Sequence, residues 1–369
     1  MTVVIHDGLR AVPGDVRALW ISLVEAKGYN PSLHPDWLEA TLTAWGLSES
    51  TAVAVVRGDS DSVAIIPFLV RRATVLGLPL RYLDLASNVV SYHAEIVSSG
   101  DLTPALMEFF ADRRLPRWDA FRAANLVIDG STAPALRAVN SQAFSRLSTL
   151  AGERSPYIAI QHDWTAFLAT RAKKLRANIT RSERQMRAAG ETGMGWYEAD
   201  SDTRKLLQEM LEIEARSWKA AEGVAIVAGT PQCAYYERLL PWLAANGALL
   251  ANVLYVAQRP VAYTLCASWR GWVGQLKTSF VQELRDAGSR VFHSSIERAF
   301  ENRAREYDFL GDAAPHKLRW ADQTRDHEEL WGYARHVRAR ALGGIKATAG
   351  RWRRRDAPQA SEPTAASAE

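Results

Sequence analysis

Cysteine is nearly absent. The 369 residues contain two, Cys233 and Cys266, too few for a disulfide framework, and neither has a second Cys or a His at zinc-ligand spacing. A reducing compartment and no metal are the expectations. The N-terminus, "MTVVIHDGLRAVPGDVRALW", lacks the basic head, apolar stretch and small-residue cleavage site of a secretion signal. No apolar run approaches the roughly 20 residues that span a bilayer, because the longest, "GALLANVLYVAQRPVAYTLCASW", is broken by Gln258, Arg259 and Pro260. A GxSxG nucleophile elbow is also missing. These absences lead to the expectation of a soluble, cytoplasmic protein.

What is present belongs to a globular chain: 47% hydrophobic residues, 23% charged and 13 Trp, at a length comfortable for two domains. The formal charge of +4 hides an asymmetry. Arg335 to Arg355 holds seven arginines, one lysine and no acid, so this segment carries +8 and the remainder −4. The body therefore lacks the extended basic surface that nucleic acid demands, and nucleic acid is not an expected partner.

Two stretches share one plan. "STAVAVVRGDSDSVAIIPFLVRRATV" reads as two β-runs joined at Gly58, Asp59 and Ser60. "ALLANVLYVAQRPVAYTLCASWRGWVGQLKTSF" reads as strands near 249–257, 261–269 and 272–280. Helical sequence precedes each meander, "GDVRALWISLVEAK" and "HPDWLEATLTAW" in one half, "TRKLLQEMLEIEARSWKAAE" and "CAYYERLLPWLAAN" in the other. The expectation is an α+β fold built twice: residues 1–155, residues 156–330, and a basic tail over 331–369. Between the halves, Asp163 to Gly190 reads as one helix, with Phe167, Leu168, Leu175, Ile179 and Met186 on one side and Lys173, Arg176, Thr180, Arg184 and Arg187 on the other. The basic side is either a solvated face or a rail for an anion.

In "LKTSFVQELRDAGSRVFHSSIERAFENRAREYDFL" a strand ends near Phe280, "RDAGSR" forms a turn, and a helix follows from about Val291 to Arg305. A glycine turn before a helix N-terminus offers free backbone N–H groups to phosphate, and Arg285 and Arg290 add guanidinium donors. The next strand, "EYDFL", sets Asp308 and Leu310 on one face and Tyr307 and Phe309 on the other. A buried Asp308 needs partners, and Lys317 and Arg319 lie one short loop away.

The order "EARSWKAAEG", the meander, "AGSRVFHSSIERAF" and "YDFLGDAAPHKLRWAD" resembles the acetyltransferase family typified by the CelD-like proteins of bacterial cellulose and exopolysaccharide synthesis, relatives of the FemAB peptidyltransferases within the GNAT superfamily. The resemblance runs from about Asp163 to Asp322. It implies tandem GNAT-like domains, each a mixed, mainly antiparallel sheet flanked by helices, the second using acetyl-CoA as acyl donor. The GNAT phosphate loop resembles [QR]xxGx[GA]; here Arg285, Gly288 and Ser289 fit it, whereas Arg290 stands where a small residue is expected. Acid–base candidates under this resemblance are Asp308, Asp312 and His293, with Lys317 in support. Acceptor contacts fall to Tyr92, His93, Trp218, Lys219, Arg319 and Trp320.

From Leu330 through Tyr333, Val337 and Leu342 the chain reads as a short amphipathic helix, followed by a basic cluster. Arg351, Arg353, Arg354 and Arg355 suit an anionic membrane surface or cyclic di-GMP, or serve as a solvated tail. The last dozen or so residues have the composition of disorder. The functional expectation is an N-acetyltransferase acting on an amino sugar or lipid-linked glycan precursor at the inner face of the membrane. FemAB-like aminoacyl transfer from tRNA to a cell-wall precursor and a degenerate, regulatory scaffold are the alternatives.

Overall fold

The computed structural model describes residues 1–58, 62–89 and 93–344. Among them are strands β1 (Thr2–Asp7), β2 (Thr51–Arg57), β3 (Val63–Val75), β4 (Leu78–Leu85), β5 (Val97–Ser98), β6 (Ala120–Val127), β7 (Arg146–Ala159), β8 (Thr192–Tyr197), β9 (Leu249–Val256), β10 (Arg259–Trp269), β11 (Trp272–Phe280), β12 (Glu306–Asp308) and β13 (Gln323–Tyr333). They form a single sheet in the order β1-β2-β3-β4-β6-β13-β7-β12-β11-β10-β9-β8, with β5 on β3.

The sheet has a repeated logic. Each half is an antiparallel meander whose fourth strand turns parallel, β4 to β6 in the first half and β11 to β12 in the second. At the middle the halves exchange their last strands: β7 lies between β13 and β12, and β13 lies between β6 and β7. The boundary expected at 155/156 thus falls inside β7, which continues to Ala159.

Helices cover both faces of the second half. Tyr263 of β10 hydrogen-bonds Glu214 of the helix Thr203–Ala215, whereas Asn252 of β9 donates to Val291 of the helix Arg285–Glu301. Since side chains alternate along a strand, these two helices lie on opposite faces. Covering on both sides explains why β9, "LLANVLYV", is almost wholly buried and does not alternate. A third link joins the halves: the Trp37 indole of the helix Pro35–Ala44 donates to Tyr235 Oη of the helix Pro231–Ala245 at 3.0 Å.

Three expectations change. The helix over Asp163 to Gly190 is two, Trp164–Thr170 and Lys173–Ala189. Arg171 between them is extended, and its guanidinium donates to the Trp320 carbonyl at 2.9 Å while lying 4.6 Å from the Phe167 ring. That tertiary anchor has no local sequence signal. The helix expected from Val291 begins six residues earlier, at Arg285. Finally, Leu330 and Tyr333 belong to β13, not to an amphipathic helix, because this segment completes the centre of the sheet. Helix resumes over residues 337–344, where Leu342 is buried and Val337 is 83% exposed.

Candidate active site

Two adjacent features define the site: a parting of strands and a buried ion network beside it. β11 and β12 pair over only three residues each, Trp272–Gly274 against Glu306–Asp308. Past that point β11 runs on to Phe280, still bonded to β10, with a bulge that leaves Leu276 outside the register between the pairs Cys266–Gln275 and Leu265–Lys277. A bulge bends its strand away from a neighbour. The edge Gln275–Phe280 therefore has no strand partner on that side among the described residues. In the first half the same parting is filled by the chain itself. β5 continues on β3 beyond the end of β4, and Ala94 bridges Leu126 of β6. The open edge thus belongs to the second half.

The helix Arg285–Glu301 begins beside this edge. Gly288 is needed for packing: a Cβ there would stand 2.3 Å from the Phe280 ring, so the glycine lets the first turn lie against the end of β11. Ser289 is exposed. Arg290 is turned along its own helix, donating to Ser294 Oγ at 2.6 Å and lying 3.3 Å from His293 Nδ1. Of Arg285 the backbone alone is described. The helix Lys173–Ala189 packs alongside, with Leu175 and Met186 buried and Lys173, Arg176, Thr180, Arg184 and Arg187 exposed.

Asp308 ends β12 and is fully buried. Oδ1 accepts from Ser155 Oγ of β7 (3.0 Å) and from the Leu310 amide (2.8 Å); Oδ2 accepts from His93 Nε2 and Arg325 Nη1, both at 2.7 Å. The left-handed Leu310 and Gly311, at φ 51° and 63°, turn the chain so that the Leu310 amide can reach back. His93 Nδ1 lies 2.8 Å from His327 Nε2, and His327 Nδ1 lies 3.1 Å from the Glu153 carbonyl. A carbonyl only accepts, so His327 carries its proton on Nδ1 and accepts on Nε2. His93 then bridges the two, donating from Nε2 to Asp308 and facing His327 through Nδ1. Burial, together with the charge on His93, holds His327 down at about 4, which agrees. Arg325 also clamps Glu306 at 2.9 and 3.0 Å. The result is a buried network in which Arg325 and His93 face the carboxylates of Asp308 and Glu306.

This environment decides what Asp308 can do. Burial alone would raise its pKa, but the His93 and Arg325 charges and hydrogen bonds overcome that and hold it at about 2. A carboxylate so acidic and bonded by four donors is an anchor and a poor proton acceptor at neutral pH. Its partners are not the expected Lys317 and Arg319.

Lys317 instead ties its own loop, donating to the Leu310 carbonyl (2.7 Å) and to Asp312 Oδ1 (3.1 Å), and Asp312 is largely exposed. Arg319 is exposed. His293 is buried between Trp164 and Trp320, ring centroids 5.2 and 5.9 Å away, and burial and Arg290 hold its pKa down at about 4. Trp320, 6% exposed, is a member of that aromatic cluster. Trp218 is 40% exposed, and Lys219 is tied to Glu214 and the Thr278 carbonyl. Tyr92 and the Arg351, Arg353, Arg354 and Arg355 cluster lie outside the described residues. The geometry therefore joins His93 to Asp308, which the sequence offered as separate candidates, pairs Lys317 with Asp312, and packs His293 on Trp320, away from the Asp308 network.

Arg325, His327 and Ser155 were missed. The signal for Arg325 and His327 was the alternation Arg325, His327, Glu329, Trp331 in "RDHEELW", one face of a strand; Ser155 has no local signal. Both free cysteines are buried. Although two histidines and a carboxylate meet at Asp308, no group of His, Cys, Asp and Glu among the described residues is placed to hold a metal ion. No described helix is long and apolar enough to cross a membrane.

A bulged fourth strand, a parallel fifth that parts from it and a helix starting beside the opening make a GNAT-like fold. Residues 173–318 match the family described as "Acetyltransferase (GNAT) domain". A conserved protein of unknown function from Bacteroides thetaiotaomicron superposes with a TM-score of 0.58 at 13% identity, over 90% of this chain and 100% of that one. FemX superposes with a TM-score of 0.56 at 11% identity, over 89% and 97%. No curated protein matches by sequence.

Proposed function

We propose that the protein is an acyl-CoA-dependent N-acyltransferase, most simply an N-acetyltransferase, modifying an amino sugar or a lipid-linked glycan precursor in bacterial exopolysaccharide synthesis. The observation that carries the reading is the unpaired β11 edge, Gln275–Phe280, opening beside the first turn of the helix Arg285–Glu301.

The residues present fit such a donor. An open strand edge pairs with the amides of an extended chain such as a pantetheine arm, and a helix N-terminus receives phosphate. Gln275 Oε1 and Ser279 Oγ, both on this strand, are buried without a hydrogen-bond partner among the described residues, which leaves them able to bond a ligand. The backbone of Gln275–Phe280 and the turn holding Gly288 and Ser289 would hold the donor, whose thioester supplies an activated acyl group. A backbone N–H of β11 is suited to polarise the carbonyl. Trp218, exposed before the half-buried Lys219, suits a sugar face.

The test is release of free thiol from acetyl-CoA in the presence of amino-sugar acceptors. Acceptor-dependent release supports the proposal. Absence of release with acetyl-CoA and longer acyl-CoAs, alongside transfer from aminoacyl-tRNA, would replace it with the FemAB-like reaction.

A further inference from the structure

Acyl transfer to an amine needs a group that takes the acceptor's proton. Asp308 is bonded by four donors, His293 is enclosed by tryptophans, and Asp312 is an exposed loop residue; none of the three lies on the open edge of β11. Lys277 does. It stands one residue past the bulge, paired with Leu265, with its side chain 11% exposed.

The side chain projects to the face covered by the helix Thr203–Ala215. There Nζ is 3.8 Å from Glu214 Oε2, too far for a hydrogen bond. Glu214 is fully buried and otherwise occupied: Oε1 accepts from Tyr263 Oη (2.7 Å) and Lys219 Nζ (3.4 Å), and Oε2 accepts from the Ile226 amide (3.1 Å). Lys219 is committed as well, to Glu214 and the Thr278 carbonyl. Two residues along the same face of β11, Ser279 Oγ has no hydrogen-bond partner among the described residues. An amine held by a carboxylate without being hydrogen-bonded, on an unpaired edge beside an unpartnered hydroxyl, is a poor structural device and a good proton acceptor for a ligand on that edge.

We propose that Lys277 is the catalytic base of this acyl transfer, with Glu214 and Lys219 as the residues that position and tune its amine. The inference rests on the acyltransferase reading above. As the acceptor nitrogen forms its bond to the acyl carbon and the C–S bond breaks, the nitrogen's surplus proton moves to Lys277 Nζ and from there to the departing thiolate. Lys277 returns neutral, and the products are the amide and the free thiol.

The surroundings support a titrating lysine. Burial, opposed by Glu214 and reinforced by the charge on Lys219, brings Lys277 down to about 8. The charged groups facing it are Glu214 and Lys219, with the Tyr263 hydroxyl behind Glu214.

The test combines trace acetic anhydride labelling across pH, read by mass spectrometry on the full chain, with kinetics of Lys277→Arg and Glu214→Gln. Labelling of Lys277 should have its midpoint near 8, against about 10.4 for an ordinary lysine. Lys277→Arg, which keeps the charge but does not titrate, should bind acetyl-CoA within twofold of wild type and lose about 100-fold in kcat. Glu214→Gln should move the labelling midpoint and the kcat limb together to lower pH. A labelling midpoint near 10, or a Lys277→Arg variant retaining half its kcat, overturns the assignment. If wild type transfers no acyl group, the acyltransferase reading falls and the role of Lys277 with it; if wild type transfers and Lys277→Arg keeps at least half of its kcat, the role of Lys277 alone falls.

Discussion

His93, from the segment after β4, meets Asp308, at the end of β12, with 2.7 Å between Nε2 and Oδ2. The contact spans 215 residues and closes a seam that the exchanged strands β7 and β13 already stitch. Removing one member of a buried, hydrogen-bonded ion pair leaves the other charge uncompensated. His93→Ala should therefore lower unfolding stability by about 3–5 kcal/mol, measured by urea denaturation. A loss under about 1 kcal/mol would mean that water satisfies Asp308 and that the pair does not lock the halves.

Stability should also fall on mild acidification. His293 and His327 have folded pKa values depressed to about 4, against about 6.5 when unfolded. Between those limits the unfolded chain binds protons that the folded chain refuses, so stability is full above about 6.5 and declines as pH falls towards 4. Each group contributes a slope of at most about 1.4 kcal/mol per pH unit. Asp308, depressed to about 2, loses its contribution only at lower pH. His293→Asn should flatten the decline between pH 6.5 and 5; an unchanged slope would show that His293 is not held neutral.

Gly288 should resist substitution for a packing reason. The added methyl of Gly288→Ala would meet the Phe280 ring at 2.3 Å, and overpacking of this kind costs about 1–3 kcal/mol. Phe280→Ala placed beside it should recover part of the loss in thermal unfolding. Additive losses would separate the glycine from Phe280.

The loop tie of Lys317 gives a contrast. Lys317→Met removes donors to the Leu310 and Asp312 carbonyls and should cost about 1 kcal/mol. Asp312→Asn, at a largely exposed group, should change stability by no more than about 0.5 kcal/mol. A larger effect of Asp312→Asn than of Lys317→Met, in the same denaturation series, would reverse the assignment of Lys317 as the organiser.

The repeated meander was legible because strands such as β2 and β10 are continuous apolar runs punctuated by turn residues, a local signal. β13 was not. Its alternating Arg325, His327 and Glu329 have the period of a strand but too much charge to read as a central one, and the seam between β6 and β7 that receives them exists only after both halves have formed. Gly152 shows the same dependence: a Cβ there would lie 2.8 Å from the His327 backbone at the bulge between Asp326 and Glu328. Asp308 was marked by its place on a short strand and His93 by the family resemblance as an acceptor contact, but their meeting needed topology. Lys277 was hidden because a lysine on a strand next to polar neighbours reads as solvated, and the buried Glu214 that holds it is 63 positions away.

The central claim, an acyl-CoA donor lodged where β11 leaves β12, is tested most directly by calorimetric titration of acetyl-CoA into wild type and Ser289→Glu. Ser289 is exposed in the early turns of the helix Arg285–Glu301, so the substitution adds a negative charge by the expected phosphate position without disturbing the core. Micromolar binding by wild type, weakened about tenfold in the variant, is the predicted result. No heat with wild type, or equal affinity for the two proteins, would contradict it.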